Sequence, residues 1–359
     1  MNNSKNILNY MFGKGAISNL SSILDKKVSD NSYVIYYIDE FFKNSDLLNE
    51  LPINEKEDEL LFVQTKVEPK TEFIDNFRNI LVEKKKNMPK AIVAIGGGAT
   101  LDTGKAVANL LTNEGNAEDY QGWDLVKNPA IYKIGIPTVS GTGAEASRTC
   151  VMTNSKSGLK LGMNSDFTIY DQLILDPNLT KTVPKEQYLH TGMDTYIHCI
   201  ESLNGEYRNA IGDAFSHQAI ALCREVFLSD DMMSDENREK LMVASYLGGC
   251  AIANSFVGII HPFSAGLSVV LETHHCIGNC ITMNAMEEFY PKEYQEFFEM
   301  AEKQGIKIPK GIASNLDDET YLKLYNSTVI HEKPLINALG DNFKEILTLE
   351  KVTEIFKRM

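Results

Sequence analysis

At Pro184 the texture of this chain changes, and that change limits the possible folds more than any other feature. Before it, β-rich runs alternate with stretches of helical period. Ser32–Asp39 (SYVIYYID) and Glu59–Thr65 (ELLFVQT) read as strands. Thr71–Lys86 reads as a helix, with Phe73, Phe77 and Ile80 at helical spacing and Lys84, Lys85 and Lys86 in the last turn, where cations suit the helix dipole. Ala91–Ile95 (AIVAI) is a short buried-strand run ended by three glycines, and helical period resumes over Thr100–Leu111. Tyr132–Thr138 (YKIGIPT) and Thr168–Asp176 (TIYDQLILD) are the remaining strand candidates. Strands alternating with helices predict a mostly parallel sheet covered on both faces. Beyond Pro184, residues 186–205, 208–228, 236–255 and 257–272 read as helices, and the rest is helical with breaks at Gly305, Pro309 and Pro334. The expected architecture is an α/β domain over residues 1–183 and an all-α domain over 184–359.

The formal charge of −14 disfavours nucleic acid as a partner, because such binding needs clustered Lys and Arg. Met1–Met11 is polar and does not read as a signal peptide, and no apolar run approaches the roughly 20 residues of a membrane span. The cysteines, at 150, 199, 223, 250, 276 and 280, form no CxxC pair, which predicts free thiols and a cytoplasmic protein.

Gly96, Gly97 and Gly98 sit between a buried strand and a helix, where close backbone approach and a helix N-terminus favour a phosphate. The turn departs from the dinucleotide fingerprint, since Leu101 stands at the third glycine position, and it is not a Walker loop. On local grounds a purely structural turn is an equal reading. A second loop, Pro137–Glu145 (PTVSGTGAE), also follows a strand, and two such loops at strand C-termini face one crevice in an open α/β sheet. Asp39 ends the first strong strand, where a carboxylate can take the adenosine ribose hydroxyls and repel the extra phosphate of NADP; an ordinary turn aspartate is the other reading.

The sharper signal lies in the helical half. Asp194 and His198 are four apart in TGMDTYIHCIE and share one helix face. His261 and His275 lie 14 residues apart, either on one face of an unbroken helix or with His275 opening the next. Three imidazoles and a carboxylate suit zinc or iron(II), with positions left for an alcohol oxygen. Cobalt and manganese fit the same donors. His190, His217 and His331 lack such company and read as ordinary core or surface histidines.

The succession GGGATLD, PTVSGTGAE, GMDTYIHCIE and two spaced histidines resembles the iron-containing alcohol dehydrogenase family, end to end from FGKGAISNL to the helical tail. The resemblance implies a dinucleotide-binding α/β domain, a helical metal-binding domain and a cleft between them, as in dehydroquinate synthase. It implies Asp194, His198, His261 and His275 as metal ligands. It further implies that Gly97, Gly98 and Asp102 form the pyrophosphate turn, and Thr138, Ser140 and Thr142 a second cofactor loop. Thr149, Val151 and Lys160 match positions beside the nicotinamide ribose, Leu179 a further cofactor wall, and Asp39 the ribose carboxylate of an NAD site. A homodimer is implied too, with Met11–Asn19 contributing.

Three positions depart from the family pattern. Ala265 stands where a relay histidine is common, Cys276 replaces a glycine after the last ligand, and Ala99 replaces a serine. His274 and bulk water are then the candidate proton carriers, and a His274 that only packs or faces solvent is an equal reading. The segments NEGNAEDYQGWDL, KLGMNSDF and GMDTYIHCIESLNG resemble the branch containing 3-deoxy-manno-octulosonate 8-oxidase, which implies oxidation of a primary alcohol on an acidic sugar and a role in lipopolysaccharide biosynthesis. Tyr120, Gln121 and Trp123 in one loop suit a sugar, and equally a plain surface turn. The alternatives are a dehydrogenase of a simple alcohol or diol, and a lyase like dehydroquinate synthase. The lyase would need Lys and Arg near the metal, and Gly192–Glu201 and Ile260–Asn279 contain none.

Overall fold

The computed structural model describes residues 5–27, 33–65, 68–84 and 87–359; Met1–Ser4, Ser32, Lys85 and Lys86, used above, lie outside them. Nine strands follow in chain order among these residues: β1 (Asn9–Phe12), β2 (Val34–Asp39), β3 (Glu59–Val63), β4 (Ala91–Gly96), β5 (Gly122–Trp123), β6 (Lys133–Pro137), β7 (Thr149–Asn154), β8 (Leu159–Asn164) and β9 (Gln172–Leu175). The helices of the same region are α1 (Leu20–Asp25), α2 (Leu47–Glu50), α3 (Thr71–Lys84) and α4 (Gly98–Leu110). Later come α5 (Lys185–Leu203), α6 (Ala210–Phe227), α7 (Asp235–Ser255), α8 (Ile260–Leu271), α9 (His275–Met283), α10 (Pro291–Lys303), α11 (Asp318–Val329), α12 (Glu332–Leu339), α13 (Phe343–Ile346) and α14 (Leu349–Lys357).

The chain divides into two compact units, one of Asn3–Val139 with Ala144–Thr182, the other of Ser140–Gly143 with Val183–Met359. The first holds a six-stranded sheet in the order β1-β9-β6-β4-β2-β3, parallel at every pairing. Its middle strands are buried on both faces, which is why AIVAI and VIYYI read as continuous apolar runs rather than as alternation. A smaller sheet, β5-β8-β7, is built on the antiparallel hairpin of β7 and β8. That hairpin was not foreseen, because polar Thr, Asn and Lys break its pattern.

The strand expected over Thr168–Asp176 is a correction. Ser165 caps a 3-10 turn at Asp166–Thr168, and only Gln172–Leu175 joins the sheet. Before that strand, Asp171 exchanges hydrogen bonds with the backbone of Lys133, accepting from its N–H at 2.9 Å and donating its own at 3.1 Å.

The second unit is helical throughout, around a core that includes Tyr188, Ile197, Phe227, Phe263, Phe297 and Phe356. The Asn209 side chain accepts from Ile211 N at 3.2 Å and Gly212 N at 3.0 Å, which starts α6 two residues later than its apolar period suggests. Phe256 at φ +61° separates α7 from α8, so the helix expected over 257–272 begins only at Ile260. Glu272, left-handed at φ 54°, ends α8, and His275 opens α9. The two histidines therefore sit on different helices. All six cysteines are buried and none forms a disulfide. Among the described residues, no single helix is long and apolar enough to cross a membrane.

Candidate metal centre and cofactor turn

Asp194, His198 and Glu201 stand at i, i+4 and i+7 on the buried face of α5. Asp194 is fully buried, and an isolated carboxylate there would be costly without partners. The partners are imidazoles. Asp194 Oδ1 lies 3.7 Å from His198 Nε2 and 3.6 Å from His261 Nε2, and Oδ2 lies 3.9 Å from His275 Nε2. The His198 and His261 rings stack with centroids 4.7 Å apart, and His275 is tilted against His261 at 5.5 Å. Donor atoms of Asp194, His261 and His275 fall within 4.8 Å of one another, and His198 joins them through Asp194.

These spacings fit a divalent cation. Bonds of about 2.1 Å in a tetrahedron give donor–donor edges of about 3.4 Å, close to the separations observed. The electrostatics agree. Burial alone would raise the Asp194 carboxyl, but His198, His275 and His261 override it and hold it well below the usual carboxylate range. Burial pushes His198 down to about 4, so its lone pair is available to a metal at neutral pH. His261 feels the same burial, yet Glu201 and Asp194 lift it to about 10, so a metal at Nε2 must displace a proton there while Glu201 keeps the one on Nδ1.

Glu201 was missed in the sequence. Its Oε2 pairs with His261 Nδ1, and its Oε1 accepts from Ile260 N at 2.6 Å. A carboxylate on the far nitrogen fixes the tautomer that presents Nε2 to a metal. The clue was its spacing, three residues after His198 on the same helix face. Asn279 was missed as well, and donates to Asp194 Oδ1 at 2.6 Å. His274 is exposed at the start of α9 and is not among the converging donors, and Ala265 is buried in α8. His190, His217 and His331 lie outside the described donor set.

In the first unit, Gly97 precedes α4 with no side-chain cap, so N–H groups of the first turn remain for an anion. A Cβ on Gly96 would fall 2.6 Å from Thr100, and one on Gly97 would fall 3.2 Å from Val139. The Thr100 hydroxyl of the same turn is buried with no hydrogen-bond partner among the described residues. Asp102 is turned inward: its Oδ2 accepts from Val151 N at 2.9 Å and its Oδ1 lies 3.5 Å from Lys105. Burial raises it to about 6 against the pull of Lys105, and it anchors α4 to β7. Lys105 extends that anchor by donating to Thr149 O at 2.7 Å.

Asp39 ends β2 and caps the next turn, accepting from Phe41 N at 3.0 Å and Thr65 Oγ1 at 3.2 Å. Thr149 donates to Asn164 at 2.5 Å, and Lys160 pairs with Glu68 at 3.1 Å. Thr138 is buried where β6 ends, and Leu179 packs against the sheet core. Ser140 and Thr142 belong to the loop that counts with the helical unit. There Gly141 O accepts from Thr195 Oγ1 at 2.8 Å, one residue after Asp194. Gln121 donates to Met152 O at 2.8 Å and Leu161 O at 3.2 Å, so it ties β7 and β8 together.

The first unit thus pairs a parallel sheet with a glycine turn at a helix N-terminus, and the second gathers three imidazoles about the Asp194 carboxylate. Residues 8–177 match the family described as iron-containing alcohol dehydrogenase, and residues 188–321 match the C-terminal family of the same group. The chain belongs to the iron-containing alcohol dehydrogenase family. It is 35% identical over 219 residues to sulfoacetaldehyde reductase of Bilophila wadsworthia, covering 60% of this chain and 55% of that protein. It is 29% identical over 277 residues to NAD-dependent methanol dehydrogenase of Bacillus methanolicus, covering 76% and 72%. The match thus spans little more than half the length of the first relative. A solved alcohol dehydrogenase from Oenococcus oeni shares the fold, with a TM-score of 0.86, 21% identity and 99% of each chain covered.

Proposed function

We infer that the chain is a metal-dependent, NAD-linked oxidoreductase interconverting a primary alcohol and its aldehyde. The convergence of Asp194, His198, His261 and His275 on one point carries this reading. When bound, a divalent metal supplies Lewis-acid polarisation of the substrate oxygen, and NAD accepts the hydride.

The chain's own residues do the rest. Asp194 contributes the negative charge that offsets a dication, and Glu201 keeps His261 in its donating tautomer. Gly97, Gly98 and the first-turn N–H groups of α4 hold the pyrophosphate, with Asp102 fixing the turn from behind. Asp39 takes the adenosine ribose through its second oxygen. Thr138, Ser140, Thr142, Thr149, Val151 and Leu179 complete the cofactor contacts. Lys160 reaches the nicotinamide ribose while keeping Glu68 as counter-charge. Oxidation of the alcohol also releases a proton, which leaves to water directly or by way of the exposed His274.

Small alcohols and aldehydes are the substrates this reading favours, since the relatives' names point there. The acidic-sugar reading, oxidation at C8 of 3-deoxy-manno-octulosonate, rests on the resemblance of NEGNAEDYQGWDL, KLGMNSDF and GMDTYIHCIESLNG and on the Tyr120, Gln121 and Trp123 loop, and Gln121 is already committed to the β7–β8 hairpin. A lyase has no support, as the ligand segments hold no Lys or Arg. A cytoplasmic homodimer belongs to the same reading: the cysteines form no disulfide, and edge strand β1 and its flank expose Leu8, Tyr10 and Phe12.

The test is a panel of short alcohols, diols, aldehydes and the sugar acid, assayed with iron-, zinc-, cobalt- and manganese-loaded protein. Reduced-nicotinamide absorbance should appear or vanish with at least one small substrate. No turnover on the whole panel with any of the metals would contradict the reading.

A further inference from the structure

Three side chains of α9 converge on the single carboxylate of α5. His275 Nε2 lies 3.9 Å from Asp194 Oδ2, Cys276 Sγ lies 3.8 Å from that same oxygen, and Asn279 Nδ2 donates to Oδ1 at 2.6 Å. The Asn279 amide nitrogen is also 3.3 Å from His261 Nε2 and 3.4 Å from His275 Nε2. It stands within hydrogen-bonding range of three of the atoms that would bind a metal.

The orientation of this amide follows from its neighbours. Turning it over would set a carbonyl oxygen about 2.6 Å from a carboxylate oxygen, two acceptors in repulsion, so the nitrogen must face Asp194. The choice leaves Asn279 Oδ1 buried with no hydrogen-bond partner among the described residues. A buried amide accepts that cost only where its other end is strongly held. An N–H donated to a carboxylate oxygen is such a bond.

The geometry points to Asn279 as a positioning residue for the metal centre: its carboxamide fixes the Asp194 carboxylate between the three imidazoles. This rests on the metal centre proposed above. Asn279 is not itself a ligand here. It acts through Asp194, as Glu201 acts through His261, so each of these two donors is held from outside by a residue of another helix.

Cobalt(II) is the probe, because its visible bands report coordination geometry independently of turnover. Asn279→Leu keeps the volume and removes the donor; Asn279→Ala does the same with a smaller side chain, should the first fail to fold. Each should bind cobalt(II) about 10–100-fold more weakly in chelator competition, with bands shifted or changed in intensity. Parent-like affinity and an unchanged spectrum in the variants would overturn the role of Asn279 and leave the centre standing. A parent protein that takes up no cobalt(II) would overturn the centre, and this role with it.

Discussion

Glu201 of α5 bonds the far nitrogen of His261 of α8, so the charge of one helix sets the proton on a ring of another. Replacing it with glutamine keeps the shape and removes the charge. Glu201→Gln should weaken metal retention by about 10–100-fold, measured by chelator competition. Retention equal to the parent would show that the contact only packs.

The same pair gives a pH dependence. His261 is raised from 6.5 to about 10, so in chelator-stripped protein its contribution to stability is present in full below about pH 6.5 and is lost as pH rises towards 10. The melting temperature of stripped parent, taken relative to that of Glu201→Gln, should therefore fall across this window. A difference that is flat from pH 6 to 10 would contradict the assignment.

Asp39 makes two predictions at once. NAD should bind more tightly than NADP, and Asp39→Ala should narrow the gap, read as the ratio of dissociation constants. Because Asp39 also caps a turn through Phe41 N, the variant should lose about 0.5–2 kcal/mol of stability in urea unfolding. Equal affinity for both cofactors in the parent would show that its second oxygen faces elsewhere.

With Ala265 buried in α8, proton exit falls to the exposed His274 or to water. If His274 is the carrier, His274→Gln should lower turnover at least about tenfold near pH 7, with partial recovery at high pH or with added imidazole. Unchanged turnover at full metal content assigns the proton to water.

Gly141 has φ +145°, and a Cβ there would stand 1.7 Å from Thr191 O, three residues before Asp194. Gly141→Ala should cost at least about 1–3 kcal/mol in urea unfolding, since neither the backbone angle nor the space allows a methyl group. Parent-like stability would mean that the loop moves freely off α5.

The parallel strands were legible as continuous apolar runs because both their faces are buried, as in AIVAI, and the long helices by the period of their apolar residues, as in α5. It failed where polar contacts decide. Ser165 caps a turn inside an apparent strand, Phe256 breaks an apparent helix, and β7 and β8 carry polar residues that hide their alternation. At the site, spacing alone singled out Asp194 and His198, and left His261 and His275 open between one helix and two. Glu201 and Asn279 were not singled out, because a lone acid or amide in a helix has no signature of its own. Their places, three residues after His198 and four after His275, were the available signal.

The most direct measurement is metal content after anaerobic reconstitution and desalting, for the parent and for Asp194→Asn and His261→Ala. One divalent ion per parent chain and essentially none in either variant, with α/β secondary structure intact by circular dichroism, is the expected result. Full stoichiometry in either variant, or none in the parent, would contradict the assignment of this cluster as the metal centre.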